Sequence, residues 1–276
     1  MLSHDDIENL VNQALLEDVG TGDITAQLIP KDKTAHARVI TREPMVLCGQ
    51  AFVNEVFRQI NPAIEVIWHA KDSEHVHKDA LLFEVKGPAR ALLTGERSAL
   101  NFLQMLSGTA TTTWVWVQKL TGTTTKLLDT RKTIPLFRQA QKYAVRCGGG
   151  HNHRLGLFDA FLIKENHIMA AGSITDAVKA AKVIAPGKPI EVEVESLAQL
   201  DEAIQAGSNI IMLDNFDLDG ISAAVKLNQG RSKLEVSGNV SLDNIAKIAA
   251  TGVDFISVGA LTKHVHAVDL SMRFVN

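Results

Sequence analysis

The sequence predicts an α/β protein in two parts: an α+β region over residues 1 to about 110, then a parallel (β/α) array from about 125 onward. Three observations predict it. Short apolar strand-like runs recur at a regular pace in the second part, and amphipathic helical stretches fill the gaps between them. In the first part the β-rich runs instead cluster between helices. At 276 residues, 46% apolar and 21% charged, the chain is long enough for a large core and has the composition of a soluble globular protein.

In the first part, "SHDDIENLVNQALLEDVG" has Ser3 as N-cap, with Ile7, Leu10, Val11, Ala14 and Leu15 at helical spacing and Gly20 as a stop. "HARVITREPMVLCG", "AIEVIWHA" and "ALLFEVKG" read as strands, and "GQAFVNEVFRQI" reads as a helix between the first two. "ARALLTGERSALNFLQMLSG" predicts a long amphipathic helix ending at Gly108.

In the second part the runs are "TKLLDT", "DAFLIKE", "IEVEVES", "NIIMLDN", "KLEVSGN" and "DFISVGA", and the later ones lie 19 to 23 residues apart. Helical stretches such as "ITDAVKAAKVIA", "SLAQLDEAIQAG" and "SLDNIAKIAATG" separate them. No G-x-G-x-x-G follows the first strand, which favours a (β/α) barrel over a dinucleotide-binding sheet. The count is six or seven strands rather than eight, so the barrel is expected to be incomplete.

Parallel barrels gather their chemistry at the C-terminal ends of strands. There this chain places Thr130, Arg131 and Lys132; Lys164; Glu191, Glu193 and Glu195; Asp214; Ser237, Gly238 and Asn239; and Val258, Gly259 and Ala260. Lys164 follows "DAFLI", so its stem is expected to line the barrel, and a buried lysine is rare unless paired. The three glutamates alternate and so share one strand face, with Val192 and Val194 turned toward the helices. The two glycine turns, "VSGNVS" and "SVGALT", suit close approach of a phosphate to backbone N–H groups. In "GGGHNHR", spacing by two with no third ligand nearby is a poor zinc signature, so His153 and Arg154 are read as anion-recognition groups.

Charge sharpens the picture. Asp129 to His167 holds seven Lys/Arg against three Asp/Glu, a local +4, while the whole chain is −3 and the remainder therefore −7. A near-neutral total argues against a general nucleic-acid or membrane-surface binder. A rim combining cations, a glycine pair and carboxylates suits a ligand with carboxylate and phosphate groups, and points to chemistry on a phosphorylated sugar with Mg²⁺. No Ser/His/Asp or Cys/His arrangement is evident. Two cysteines, Cys48 and Cys147, are too few for a disulfide framework; no apolar run approaches a membrane span, and the acidic N-terminus resembles neither a signal nor a transit peptide. A cytoplasmic setting is expected.

The blocks "EDVGTGDIT", "GERSALNFLQMLSG", "DTRKTIPLFR", "GGGHNHRLGLFDAFLIKENH", "EVEVE", "IMLDN", "EVSGN" and "FISVGALT", in this order from about residue 17 to the C-terminus, resemble quinolinate phosphoribosyltransferase. The resemblance implies an N-terminal α/β sandwich, residues 1–110, and an open α/β barrel of about seven parallel strands, residues 111–264. The segment of about 265–276 is a candidate to pack back on the first domain. It also implies a homodimer with shared active sites, Mg²⁺ as cofactor, and transfer of phosphoribosyl from phosphoribosyl pyrophosphate to quinolinate with decarboxylation, in NAD synthesis.

Carried over by position, Arg131, His153, Arg154 and Lys164 surround the quinolinate carboxylates, and Arg97 reaches in from the partner. Lys132 holds the pyrophosphate end. Glu193 and Asp214 serve the ribose hydroxyls and Mg²⁺, and with Lys164 form the catalytic set. Thr130, Ser237, Gly238, Asn239, Val258, Gly259 and Ala260 complete the substrate site. This chain has "GALTKH" where many relatives read "GALTHS", which leaves the role of Lys263 open. A sibling transferase acting on a ring monoacid, a Schiff-base aldolase using Lys164, and a non-catalytic binder are the other readings.

Overall fold

In the computed structural model, which describes residues 2–275, the chain begins with α1 (His4–Val19). Ser3 Oγ accepts from Asp6 N at 3.1 Å, and the Asp6 carboxylate accepts from Ser3 N at 2.9 Å. This reciprocal cap uses N–H groups that the helix cannot pair internally. β1 (Thr34–Thr41), β2 (Met45–Val46), α2 (Gln50–Ile60), β3 (Glu65–Trp68), β4 (His75–Val76) and β5 (Leu81–Pro88) follow, then α3 (Ala89–Gln118).

The α3 helix does not stop at Gly108, where the sequence predicted its end. That glycine answers crowding: a Cβ there would lie 1.8 Å from the His266 carbonyl oxygen. The threonines beyond it are accommodated within the helix, their hydroxyls satisfied by carbonyls four residues earlier, Thr109 to Met105 O at 3.2 Å and Thr113 to Thr109 O at 2.8 Å.

Next come β6 (Lys126–Leu128), α4 (Arg138–Cys147), β7 (Phe161–Ile163), α5 (Glu165–Ala171), α6 (Ile174–Ile184) and β8 (Ile190–Val194). α7 (Leu197–Gln205), β9 (Ile210–Asp214), α8 (Leu218–Asn228), β10 (Lys233–Ser237), α9 (Ile245–Ala249), β11 (Phe255–Ser257), α10 (Ala260–Lys263) and β12 (Leu270–Phe274) complete the chain.

These elements form two compact units. One comprises the chain up to Trp114, Gln139–Gly149, and the chain from His264; the other comprises Val115–Arg138 and Gly150–Lys263. The first unit is built on an antiparallel sheet in the order β12-β1-β5-β3. Ala37 and Val39 of β1 and Phe83 and Val85 of β5 alternate inward, and with Phe52, Val56 and Phe57 of α2 and Leu92, Leu103 and Leu106 of α3 they are buried. α4 from Gln139 on belongs to this unit, although it lies in sequence between two strands of the other.

The second unit is a six-stranded parallel sheet in the order β6-β11-β10-β9-β8-β7, consistent with an open α/β barrel. Val192, Val194, Ile211, Leu213, Leu234, Val236 and Ile256 are buried, as strands covered by helices require. A seventh ladder survives as one residue. His151 bridges Leu128 in parallel, with His151 N donating to Leu127 O at 2.8 Å and Asp129 N to His151 O at 3.1 Å. Three preceding glycines and the following Asn152 do not sustain a longer strand.

Candidate active site

The parallel strands of the second unit end on one rim, where a cavity of about 590 Å³ opens. Thr130, Arg131, Lys132, His153, Arg154, Lys164, Glu193, Asp214, Ser237, Gly238 and Asn239 line it, so sequence residues 130 to 239 converge there. Four Lys/Arg and one histidine face two carboxylates, which makes it a cavity for a polyanion.

Each side chain is set by its strand. Lys164 immediately follows β7 and forms the N-cap of α5, where its N–H donates to His167 Nδ1 at 3.0 Å. Its Nζ donates to Glu193 Oε2. The expectation of a buried lysine is corrected: the side chain is 46% exposed, because it has left the strand and reaches over the rim. Glu191 and Glu193 share a face of β8 but not an environment. Glu193 faces the cavity, whereas Glu191 is buried beneath it, and Glu195 is exposed beyond the strand end.

His153 is held from three sides. Its N–H donates to Asp129 Oδ1 at 2.9 Å, and Asn152 Nδ2 donates to Asp129 Oδ2 at 2.6 Å. Its Nδ1 accepts from Arg154 N at 2.8 Å. That bond assigns the ring proton to Nε2, which lies 2.9 Å from Glu191 Oε2 and 3.6 Å from Glu235 Oε2. Glu235 is completely buried. Burial, reinforced by the charge of Glu191 and opposed by His153, raises its pKa to about 8. Glu235 thus favours its neutral form, and the two carboxyl groups lie against the buried edge of the imidazole.

Arg154 donates Nη1 to Ala160 O at 3.3 Å, and burial together with the charge of Arg131 holds its guanidinium below the ordinary arginine range. Two cations pressed together in this way are poised for an anion. Opposite them, Asp214 is raised above the ordinary aspartate value, first by burial and then by the charge of Glu193, with Lys164 opposing.

The β10 turn is shaped by its amides. Asn239 Nδ2 donates to Asn215 Oδ1 at 3.0 Å, and Asn215 Nδ2 donates to Asp214 Oδ2 at 2.9 Å. Gly238 sits at φ +84°, and a Cβ there would lie 2.3 Å from Asn215 Oδ1, so glycine is required on both counts.

Four predicted residues do not line the cavity. Arg97 is an exposed residue of α3 in the first unit, Val258 is buried, and Ala260 opens the short α10. Gly259 lies against the Lys132 side chain from behind. Asn215, which the sequence places on the rim beside Asp214, also lines it; Leu162, Met212 and Ser257 line it without having been singled out, and Glu235 lies beneath His153. Glu235 stands two residues before Ser237 on the same strand face, so the alternation that flagged Glu191 and Glu193 contained the signal for it as well.

Comparison with known proteins places this geometry in a family. The quinolinate phosphoribosyl transferase N-terminal domain model matches residues 23–107, and the C-terminal domain model matches residues 109–273. A Bacillus subtilis (strain 168) protein described as probable nicotinate-nucleotide pyrophosphorylase (carboxylating) is 43% identical over 272 residues, covering 98% of this chain and 94% of that one. The Mycobacterium leprae (strain TN) nicotinate-nucleotide pyrophosphorylase (carboxylating) is 42% identical over 277 residues, covering 97% of each. The solved structure of the nicotinate-nucleotide pyrophosphorylase from Francisella tularensis superposes with a TM-score of 0.96 at 53% identity, covering 100% of this chain and 98% of that one. Both domain models and relatives of this similarity agree, and the chain belongs to the quinolinate phosphoribosyltransferase family.

Proposed function

We infer that the protein transfers the phosphoribosyl group of phosphoribosyl pyrophosphate to quinolinate and releases CO2, giving nicotinate mononucleotide and pyrophosphate in NAD biosynthesis. One observation carries the reading beside the family: Arg131, His153, Arg154 and Lys164 converge on one cavity that also presents Glu193 and Asp214. A dicarboxylate and a polyphosphorylated sugar repel each other, and a cationic cavity in a chain that is otherwise net acidic offsets that repulsion.

In this reading Arg131, Arg154, His153 and Lys164 hold the two ring carboxylates. Lys132 meets the pyrophosphate, and Thr130, Ser237, Gly238 and Asn239 surround the phosphates, with Val258, Gly259 and Ala260 forming the wall behind. Glu193 and Asp214 take the ribose hydroxyls. The same two carboxylates fit a hard divalent cation: the charge of Glu193 helps to raise Asp214 above its ordinary value, and both present oxygen donors to an open cavity. Mg²⁺ held there would neutralise charge on the leaving pyrophosphate.

As the leaving group departs, the sugar carbon becomes cationic, and Glu193 and Asp214 stabilise it electrostatically. Attack by the pyridine nitrogen then places positive charge on the ring, and that charge stabilises the carbanion-like centre left by CO2. No dedicated base is required. The ion pair of Lys164 with Glu193 is the opposite of the charge-free setting that frees an amine for Schiff-base chemistry.

By the same inference the enzyme works in the cytoplasm as a homodimer, with Arg97 entering the partner's site. Among the described residues no helix is long and apolar enough to cross a membrane.

The test is a direct assay with phosphoribosyl pyrophosphate, Mg²⁺ and ring-carboxyl-labelled quinolinate, following labelled CO2 and mononucleotide beside a nicotinate control. Stoichiometric CO2 and mononucleotide from quinolinate alone are expected. Product from nicotinate only would move the protein to a monoacid transferase, and binding without product would overturn the activity.

A further inference from the structure

The first unit contains a second cluster of reactive side chains that the transferase reading does not use. Cys48 lies just before α2, Cys147 ends α4, and Asp72 stands in the turn between β3 and β4. Three separate stretches of chain thus deliver two thiols and a carboxylate whose donor atoms lie within 4.8 Å of one another. Cys48 is fully buried and Cys147 is 9% exposed.

The carboxylate is fixed in place. Asp72 Oδ1 accepts from Gly49 N at 3.0 Å and from Gln50 N at 3.2 Å, and Oδ2 accepts from Tyr143 Oη at 2.7 Å. An ionised carboxylate offers about four lone-pair positions, so Oδ2 retains one beyond these three bonds. Hydrogen bonds of this kind orient and hold a metal-binding carboxylate. Gly49 and Gln50 also begin α2, whose dipole favours net negative charge at this end.

We propose that Cys48, Cys147 and Asp72 form a three-ligand site for a borderline-soft divalent cation of the Zn²⁺ class, with water as the fourth ligand. Ligand type selects the cation, since paired thiolates prefer zinc-like ions to the hard Mg²⁺ assigned to the oxygen-lined cavity. Tetrahedral zinc with bonds of about 2.0–2.3 Å wants its donors roughly 3.5 Å apart, and the three donor atoms here all lie within 4.8 Å of one another. A disulfide would draw the two sulfurs to about 2.05 Å and engage neither oxygen of Asp72. Binding requires both thiols to lose their protons. Two thiolates and one carboxylate around a dication leave a single negative charge beside the start of α2.

The test uses the reduced, chelator-treated full-length protein titrated with Co²⁺ as an optical substitute for Zn²⁺. A sulfur-to-cobalt charge-transfer band in the near ultraviolet is expected, saturating at one ion per chain and bleached by Zn²⁺. Oxygen and imidazole ligands in the catalytic cavity do not give that band. It should be absent in Cys48→Ser and in Cys147→Ser, and weakened or shifted in Asp72→Asn. Independently of any variant, Zn²⁺ should slow alkylation of both thiols in the folded protein. No sulfur band in the parent protein overturns the site, whether or not the thiols oxidise to a disulfide, and so does a band that survives loss of either cysteine. Transferase activity is not the readout, so the outcome is separate from that of the proposed reaction.

Discussion

Glu235 shows how much one buried residue can set. Its carboxyl group is completely enclosed, sits beside Glu191, and keeps its proton up to about pH 8. Below its ordinary pKa of 4.5, folded and unfolded chains are both protonated at this position. Between there and about pH 8 the unfolded chain has released a proton that the folded chain retains, so the stability associated with Glu235 falls as pH rises, and the fall is complete above about pH 8. Glu235→Gln removes that slope. Melting temperatures compared from about pH 5 to about pH 9 should therefore move in favour of the variant toward the alkaline end. A constant offset across the range would mean that Glu235 is ionised in the folded protein. His153 depends on the same arrangement, since its Nε2 proton faces Glu191 and Glu235 while Arg154 N occupies Nδ1.

Among the elements, the turn after β10 is the most constrained. Gly238 and Asn239 have positive φ, at 84° and 52°, as does the facing Asn215 after β9, at 57°, and the Asn239–Asn215–Asp214 relay fixes one cavity carboxylate. Gly238→Ala must displace Asn215 Oδ1, and the relay with it. We expect a stability loss of about 1–3 kcal/mol. The KM for phosphoribosyl pyrophosphate should rise on the order of tenfold, because misplacing a positioning group weakens substrate alignment. Steady-state kinetics and thermal melts check both, and an unchanged KM would remove the turn from the substrate site.

Element by element, the barrel strands were legible because buried parallel strands are short apolar runs that recur at a fixed pace, and their polar ends mark the rim. Other features were not legible. α4 is rich in Arg, Gln and Lys and has no strand beat, so nothing local assigned it to the first unit. Gly108 reads as a helix stop in sequence, yet its cause is the His266 backbone, far away along the chain. The ladder at His151 is a single bridge, too short for any period to register. "SVGALT" resembles "VSGNVS" as a string, but only Gly238 faces the cavity, and Gly259 packs behind Lys132.

At the scale of the whole molecule, charge is segregated. Residues 129–167 carry +4, and the rest of the chain carries −7. If the homodimer shares its sites as proposed, Arg97 and Lys164 serve one cavity from different chains. Arg97→Ala and Lys164→Ala should each be inactive alone. A mixture of the two, dissociated and reassembled, should recover roughly a quarter of wild-type activity, because about half the dimers are hybrids with one intact site each. Verified hybrids without activity would place Arg97 outside the partner's site.

The position of β12 has a consequence for how the protein is made. Thr41 pairs with Leu270, and Ala37 with Phe274, so the strand that closes the edge of β1 is synthesised after every strand of the parallel sheet. While a ribosome is still elongating the chain, every residue of the parallel sheet emerges before the first sheet can be completed. Throughout that interval β1 presents one unpaired edge, the kind of surface on which nascent chains associate wrongly. The order of translation thus runs against the order of assembly: the antiparallel sheet is begun before the parallel sheet and completed after it.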